Sequence, residues 1–391
     1  MSQATFEVAP AIINWVFEQL NIDDMNISVT ENLLKWKNGE KKPTFNQIEK
    51  MSTQTNIPFG YFFLKQPPLE ETPILECRTI NSIAIQKPSR ELKDTLTTME
   101  DTQEWMRNHQ ISQGYSKLEV VGSLKDGLSA DAIANKMKKD LDLNEEWYRN
   151  SNAWESFKYL RSKLQDIGIL VTMNGVVGQN THRPLNIEEF RGFTLIDEYA
   201  PLIFINASDS ANGKLFTLLH EAVHVWFGSD SLYNDRYSHA NNVSKLETIC
   251  NAVAAEILVP KNAFVHEWEL RNDITDTTAR IIALSKLFSC GITVIARKAL
   301  DNNFIDKMKY EDIAEEAVRY YNQLKAEKKA SNTGGGSFYN NLLSRVDKHF
   351  ILALNSSMYE GKTLFTDAYR ITGTNRETFS TLVDKVRGVG L

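Results

Sequence analysis

The sequence predicts an α+β protein that is mostly helical and holds one small three-stranded sheet. Apolar residues recur at helical spacing along most of the 391-residue chain, the pattern of helices that bury one face. The exception is a stretch near the middle, where three short runs are rich in β-branched or aromatic residues and are bounded by turn residues. These runs, predicted as strands, are GILVT (168–172), GFTLI (192–196) and PLIFIN (201–206).

Composition and charge exclude several classes of protein. A hydrophobic fraction of 42% and a charged fraction of 24% are those of a soluble globular protein. The sequence contains no apolar run of the roughly 20 residues that a membrane-spanning helix needs, and no signal-peptide pattern. The net charge of −6 argues against a chain that coats nucleic acid through Lys and Arg. Cys77, Cys250 and Cys290 lack metal-binding spacing and fit unpaired thiols, so we expect a cytoplasmic protein with no membrane partner.

Shifts in composition divide the chain into four segments. We assign residues 1–70 to a small helical domain and residues 71–150 to a helical connecting segment, which begins within the Pro-rich KQPPLEETP. Residues 151–325 hold the predicted strands together with strongly apolar helices. Residues 326–391 form a helical C-terminal part, and SNTGGGSFYN is a flexible loop within it by composition.

The first two segments predict helices with defined ends. AIINWVFEQL has helical apolar spacing, and TENLLKWKNGEKKPTFNQIEKM has the pattern helix, stop, helix. Gly39 is suited to end the first of these helices, Pro43 cannot continue it, and Thr44 is placed to cap the next. A helical pattern follows over residues 89–113, and Ser129 is a candidate cap for SADAIANKMKKDL.

Further helices flank the predicted strands. WESFKYLRSKLQDI precedes the strands, LFTLLHEAVHVWFG (215–228) follows them directly, and another helix from about residue 245 ends before Pro260. TTARIIALSKLF and ITVIARKALDNNFI, joined by SCG, have a helix-turn-helix-like pattern. Packing of their apolar positions already explains this pattern, so we favour a packing role over DNA contact.

His220, Glu221 and His224 form the pattern H-E-x-x-H within the apolar helix at 215–228. Residues at i and i+4 share a helix face, about 5–6 Å apart at Cβ, so the two imidazoles can bind one Zn²⁺. Glu221, rotated by roughly 100° from His220, can exchange a proton with a water on that metal. Without partners these polar groups would be buried at a cost of several kcal/mol. The pattern therefore predicts a zinc site of the peptidase type.

A third protein ligand is expected, because catalytic zinc sites use three and leave one position for water. The helix that ends before Pro260 offers Glu247 and Glu256, which lie on different faces. We favour Glu247, because Glu256 is better suited to pair with a base or to cap the core. His239 is a rival ligand from a loop. Three residues are also candidates to stabilise the oxyanion or contact substrate, and the sequence does not rank them: Tyr233, Tyr237 and His239.

In these motifs and in the segments around them, the chain resembles the ImmA/IrrE family of metallopeptidases. The likeness lies in RGFTLIDEYAPLIFINASDSANGKLFTLLHEAVHVWFG and in ETICNAVAAEILVP. It implies a zincin-like peptidase domain in which His220, His224 and Glu247 bind zinc and Glu221 is the catalytic base, so it supports Glu247 over Glu256. The positions that match the family pattern are Phe193, Asn206, His220, Glu221, His224, Glu247, Asn251, Ala254, Leu258 and Pro260.

The N-terminal segment is similar to the end of an XRE-type helix-turn-helix domain. WKNGEKKPTFNQIEKM and IPFGYFFL carry this likeness, while CRTI and GGGSFYNN resemble parts of long, fused family members. Residues 1–65, however, contain no Arg and six Lys against seven acidic residues, and the second helix of the motif is reduced to about NIDDMN. DNA recognition needs a basic face and base-reading side chains. We therefore disfavour DNA binding and expect a docking domain, one specific form being a mimic of the substrate repressor's own domain.

The resemblance implies a zinc-dependent endopeptidase. Family members are described as cleaving helix-turn-helix repressors, so the expected partner is a repressor or a toxin/antitoxin-type protein, encoded nearby, in stress or mobile-element and phage regulation. The alternative is a non-catalytic antitoxin or transcriptional co-regulator that binds a partner protein or DNA and keeps a zinc site. Structural zinc is usually held by four protein ligands and needs no neighbouring base, which favours the enzyme. A third hypothesis, a DNA-binding regulator with a vestigial peptidase domain, is disfavoured by the acidic N-terminus.

Overall fold

A computed structural model describes residues 4–19, 27–68, 88–124, 127–144, 146–149, 152–228, 240–331 and 338–388. The chain divides into two compact units. The first comprises Met1–Pro73 and Lys87–Asp94, and the second comprises Ile74–Gln86 and Thr95–Leu391. The predicted strands and the H-E-x-x-H pattern both belong to the second unit.

Short helices around an apolar core make up the described part of the first unit. They are α1 (Pro10–Gln19), α2 (Ile27–Lys37), α3 (Phe45–Thr55) and a 3₁₀ helix (Phe59–Phe63). Their apolar faces pack together, which supplies the burial that helices this short need to be stable. The buried members of this core are Val8, Ile12, Ile13, Val16, Leu33, Trp36, Ile48, Met51, Ile57 and Phe62.

Two predicted helix ends in this unit are confirmed. Thr44 caps α3, because its hydroxyl accepts from the Gln47 N–H at 3.4 Å while the Gln47 side chain accepts from the Thr44 N–H at 3.0 Å. Gly39 follows α2 with φ of +70°, a conformation that glycine adopts without strain. The helix expected near residues 21–26 lies outside the described residues.

The second unit is built on a three-stranded sheet. β1 (Leu170–Asn174) pairs in parallel with β5 (Leu202–Asn206), and β4 (Gly192–Leu195) pairs with β5 in the antiparallel direction, which gives the order β1-β5-β4. Every residue of β1 and β5 is buried, as is typical of a parallel pair covered by helices. The three predicted strands are thus confirmed, each within two residues of its expected ends.

A two-stranded hairpin was not predicted. β2 (Val176–Val177) and β3 (Asn180–Pro184) pair antiparallel after β1. β2 has only two residues, and most of β3 is exposed and polar. Neither strand therefore shows the alternation of apolar and polar residues by which strands are recognised in sequence.

The remaining helices pack around this sheet and onto one another. A single core joins the buried strands to helices between residues 133 and 313, so the fold is mostly helical α+β, as the sequence predicts. The helices are α4 (Arg90–Ser112), α5 (Ala130–Asp140), α6 (Ala153–Asp166), α7 (Ala211–Phe227), α8 (Ala240–Leu258), α9 (Lys261–Leu270), α10 (Thr277–Leu287), α11 (Ile292–Asp301), α12 (Lys307–Ser331), α13 (Phe338–Arg345), α14 (Lys348–Tyr359), α15 (Phe365–Thr372) and α16 (Arg376–Val386).

The C-terminal helices are joined to the sheet through one buried carboxylate. Asp347, which is fully buried, accepts from the Gln165 side chain at 2.6 Å and from the Val171 N–H of β1 at 3.0 Å. Its other oxygen accepts from the His349 and Phe350 N–H groups and so caps α14. One side chain therefore ties α6, β1 and α14 together.

Among the described residues, no single helix has the length and apolar composition needed to cross a membrane. One bent pair, Thr277–Leu287 with Ile292–Asp301, meets that requirement jointly.

Candidate metal centre

The H-E-x-x-H pattern lies on α7, which starts directly after the central strand. Asn206, the last residue of β5, donates to the Phe190 carbonyl at 3.1 Å and accepts from the Ser208 N–H at 3.0 Å, which shapes the turn into the helix. Ser210 caps α7 by accepting from the Gly213 N–H at 3.0 Å. The start of α7 is thereby fixed relative to the sheet.

His220 and His224 face the same side of α7 and are almost fully buried. Their ring centroids lie 5.0 Å apart, and their Nε2 atoms approach to 3.2 Å. This convergence follows from the i, i+4 spacing, which sets one side chain above the other on a helix. Both Nε2 atoms are thus available to one common partner.

Glu247 on α8 completes the group. Its Oε2 lies 3.1 Å from Nε2 of His220, and its Oε1 lies 3.5 Å from Nε2 of His224. Burial opposes its charged form, but the two imidazoles hold the pKa of Glu247 far below its ordinary value. Burial also opposes a charge on His224, yet Cys250, Glu247 and Glu221 hold the pKa of His224 well above its ordinary value. The electrostatic environment of the group therefore favours a cation.

These three residues have the donor set and the spacing of a metal site. One donor atom from each of His220, His224 and Glu247 lies within 4.8 Å of the other two. Two imidazole nitrogens and one carboxylate suit a divalent transition metal, and three protein ligands leave a coordination position for water or substrate. Among the residues that the structure describes, the donor set therefore fits a catalytic metal site, with three protein ligands, rather than a closed structural one.

Glu221 lies beside this group and is held by the edge strand β4. Its side chain is buried, and Oε2 lies 3.0 Å from the Thr194 hydroxyl, which lies at the same distance from the Glu221 carbonyl oxygen. Thr194 belongs to β4 and packs against α7. The carboxylate is thus fixed next to the two histidines without being a member of the donor group.

β4 approaches α7 closely because Gly192 has no side chain. A Cβ at this position would lie 2.9 Å from the Phe204 carbonyl oxygen, 2.7 Å from Cγ2 of Thr217 and 3.3 Å from Cγ of Glu221. Any other residue would push the strand away from the helix. Gly192 therefore permits the contact between Thr194 and Glu221.

Asn251 of α8 contacts the first of the two imidazoles. Its Oδ1 lies 3.2 Å from Nδ1 of His220, and with Nε2 of His220 directed at the donor group this contact fixes the orientation of that ring. The preceding residue, Cys250, is among the groups that raise the pKa of His224. In the sequence, Asn251 is one of the positions that match the family pattern, and Cys250 was given no role in the site.

The structure separates Glu256 from the candidate ligands. Glu256 forms a buried ion pair with Lys298 of α11, and its Oε1 accepts from the Lys261 N–H at 2.8 Å, at the start of α9. Glu256 therefore pairs with a basic side chain and accepts from a backbone N–H at a helix start, in agreement with the role expected of it from the sequence. Tyr233, Tyr237 and His239 lie outside the described residues.

Thr194 and Cys250 are the residues of the site that sequence analysis missed. A weak signal exists for Thr194, since GFTLI places its polar side chain two residues after Gly192, on the same face of a strand. Cys250 falls between Glu247 and Asn251 in an otherwise apolar stretch of α8. A cysteine there is equally typical of core packing, so the sequence gives no reason to single it out.

Comparison with known families agrees with this site. Residues 346–385 match a domain of unknown function, DUF8813, and no curated protein matches the chain. Residues 165–299, which carry the sheet, the H-E-x-x-H helix and Glu247, match the IrrE N-terminal-like domain of the M78 peptidases. A metallopeptidase family implies a metal, and over residues 165–299 the chain is similar to this family.

Proposed function

We propose that the protein is a zinc-dependent endopeptidase that cleaves one specific partner protein in the cytoplasm. The observation that carries the proposal is the convergence of His220, His224 and Glu247, whose donor atoms lie within 4.8 Å of one another, beside the buried carboxylate of Glu221. A binding module that only folds around a metal does not need such a carboxylate. The family match supports a peptidase of this type.

Zinc is the metal that this donor set favours. Two histidines and one carboxylate are a ligand set of catalytic zinc, and imidazole donors are less suited to Mg²⁺ or Ca²⁺, which prefer oxygen. The polar contact of Asn251 with His220 supplies the kind of outer partner that a zinc-binding histidine usually has.

The roles of the residues follow from their positions. Bound zinc would polarise the scissile carbonyl and lower the pKa of a bound water to about 7. Glu221 would accept a proton from that water and deliver it to the nitrogen of the leaving amine. The Thr194 hydroxyl, 3.0 Å from Oε2 of Glu221, would hold the carboxylate in the orientation that both transfers need.

The proposed partner is a DNA-binding repressor or an antitoxin-type protein encoded near this gene. The family resemblance suggests this class of partner. The acidic balance of residues 1–65, with seven acidic residues against six Lys and no Arg, supports a protein-docking role for the first unit over DNA binding. The regulatory context would be stress or mobile-element control.

Paired co-expression tests the proposal. The wild type and Glu221→Gln would each be produced with the products of neighbouring genes, and partner fragments would be sought by intact mass spectrometry. Glu221→Gln removes the base and leaves the three donor residues in place, so we expect a fragment with the wild type alone and equal zinc content in both proteins.

Glu269→Gln is the matched control, because Glu269 is an exposed glutamate on α9. This variant should cleave the partner as the wild type does. Intact partners in every sample, with one partner co-purifying equally with wild type and Glu221→Gln, would overturn the peptidase. That result would support a non-catalytic antitoxin or co-regulator. Salt-sensitive binding of promoter DNA would support a DNA-binding regulator instead.

A further inference from the structure

We propose that a cavity between α6 and the C-terminal helices binds a small carboxylate with an apolar body, an aromatic acid or a short fatty acid. The cavity lies in the second unit, and its wall contains none of the three candidate metal ligands. This ligand site is therefore additional to the proposed peptidase and does not depend on it.

The cavity has room for one small organic molecule. Its volume is about 180 Å³, whereas an apolar cavity of about 150 Å³ engineered in another protein binds benzene. A ring, or a chain of similar size, with one carboxylate attached therefore fits.

Most of the cavity wall is apolar and comes from the C-terminal helices. The apolar residues are Leu343, Val346, Ile351, Leu382 and Val386. They belong to α13, α14, α16 and the link between α13 and α14. Such a wall favours a hydrocarbon body, because removing apolar surface from water is favourable.

The polar part of the wall carries positive charge. Among the described residues it consists of Lys158, Arg161, Gln165 and Lys348, and it includes no carboxylate. Both lysines are partly exposed, and they pair with acidic residues outside the wall, Lys158 with Glu155 and Lys348 with Asp166, each at 2.8 Å. The cavity is thus open to solvent beside two lysines, and its charge suits an anion.

Arg161 supplies the hydrogen-bond donor that a carboxylate needs. One of its terminal nitrogens donates to the carbonyls of Val171 and Val346, at 2.8 and 3.2 Å. Its Nε is buried and has no hydrogen-bond partner among the described residues. A buried donor of a charged group is costly to leave unpaired. A carboxylate oxygen in the cavity would give this donor an acceptor.

Asp347 lies nearby but does not take this role. Its carboxylate oxygens accept from other donors, which are the Gln165 side chain and the N–H groups of Val171, His349 and Phe350. Burial lowers the pKa of Arg161, although the charge of Asp347 opposes that shift. The guanidinium therefore lacks full compensation, and a second anion would stabilise its charge.

The competing explanation is a gap in the packing between α6 and the C-terminal helices that holds only water. In that case no small molecule should bind there, whatever its charge. A ligand site predicts instead that binding depends both on a negative charge and on an apolar body.

Ligand-observed NMR titrations of the full chain test the proposal with four probes: benzoate, hexanoate, benzamide and inorganic phosphate. We expect saturable one-to-one binding of a carboxylate. Benzamide has the shape of benzoate without its charge and should bind about 10- to 100-fold more weakly. Phosphate has the charge without an apolar body and should also bind more weakly than the carboxylates.

Two variants test whether the carboxylate occupies this cavity. Arg161→Met removes the guanidinium and should weaken carboxylate binding by at least about 10-fold. Val386→Phe keeps Arg161 and fills part of the cavity, so it should weaken binding as well. Lys139→Met removes a charge at an exposed position of α5 outside the wall and should bind like the wild type. Circular dichroism establishes folding, and if Arg161→Met does not fold, Val386→Phe decides.

Absence of saturable binding of both carboxylates at millimolar concentration would overturn the site. Equal affinities for wild type and Val386→Phe would overturn it too, since the ligand would then bind elsewhere. Equal affinities for benzoate and benzamide would refute recognition of the charge, and tighter binding of phosphate would refute the apolar part of the ligand. The peptidase proposal stands or falls separately, on the zinc content and cleavage measured with Glu221→Gln.

Discussion

At the scale of single residues, the site depends on how one buried carboxylate is held. Glu221 has a side chain that is almost fully buried, and the Thr194 hydroxyl lies within hydrogen-bonding distance of Oε2 and of the Glu221 carbonyl oxygen. A buried carboxylate needs such donors, because leaving it without them costs more than the bond itself returns. Thr194 should therefore influence the proposed chemistry although it is outside the donor group.

We expect Thr194→Val to lower kcat of the proposed peptidase by roughly 10- to 100-fold with little change in KM. Valine keeps the shape of threonine and removes only the hydroxyl, and a hydrogen bond to a charged group contributes about 1.5–3 kcal/mol. Thr194→Ser restores a hydroxyl and should recover most of the rate. Steady-state kinetics on the identified substrate measures the effect, and equal kcat for valine and wild type would show that Thr194 does not orient Glu221.

The sequence predicts the histidines of this site better than their supports, for a physical reason. His220 and His224 are placed by the local periodicity of one helix, which is readable from spacing alone. Thr194 lies 27 residues from Glu221, and Cys250 belongs to a different helix from His224. Such contacts depend on how β4 and α8 pack onto α7. Packing between segments that are distant in the chain does not produce a recognisable residue spacing in one sequence.

At the scale of secondary structure elements, a buried ion pair joins three helices. Glu256 of α8 pairs with Lys298 of α11 and accepts from the Lys261 N–H at the start of α9. Both charged residues are 8% exposed, so each depends on the other for a partner. The pair fixes the C-terminal end of α8, whose middle carries Glu247.

We expect Lys298→Met to lower the free energy of unfolding by about 3–5 kcal/mol, because it leaves a buried carboxylate without its cation. The double variant Glu256→Gln with Lys298→Met should recover part of that loss, since no charge then remains to be compensated. Urea denaturation followed by circular dichroism gives both values. Lys307→Met is the control, as Lys307 pairs with Glu311 on the surface and should matter by less than about 1 kcal/mol. A similar small loss for Lys298→Met would contradict the assigned role.

Strands could be predicted from the sequence where their burial requires a recognisable pattern of apolar residues. β1 and β5 are buried along their whole length and consist of continuous apolar or β-branched runs, so both were expected. β3 has the sequence NTHRP and is mostly exposed, so its pairing with β2 leaves no apolar signature. Backbone hydrogen bonds to a two-residue partner hold β3, and such bonds are insensitive to side-chain type.

At the scale of the whole molecule, the C-terminal helices are part of the unit that carries the site. Asp347 accepts from Gln165 of α6 and from the Val171 N–H of β1, and caps α14 with its second oxygen. Arg161 lies close by and donates from one guanidinium nitrogen to the carbonyls of Val171 and Val346, at 2.8 and 3.2 Å. The segment that matches a domain of unknown function is therefore bonded directly to a strand of the central sheet.

We expect Asp347→Asn to destabilise the second unit as a whole, lowering its free energy of unfolding by about 2–4 kcal/mol. All four partners of Asp347 are donors, and an asparagine would turn an N–H₂ group toward two of them, leaving buried donors unsatisfied. Because the carboxylate bonds to α6, β1 and α14 together, α14 and the sheet should lose structure in one transition rather than in sequence. Urea denaturation monitored by circular dichroism, with zinc binding measured across the same transition, tests this coupling. Asp384→Asn, at an exposed position of α16, should leave the midpoint unchanged. Loss of the C-terminal helices at low urea with zinc binding retained would show that the C-terminal segment is only loosely attached to the metal-site domain.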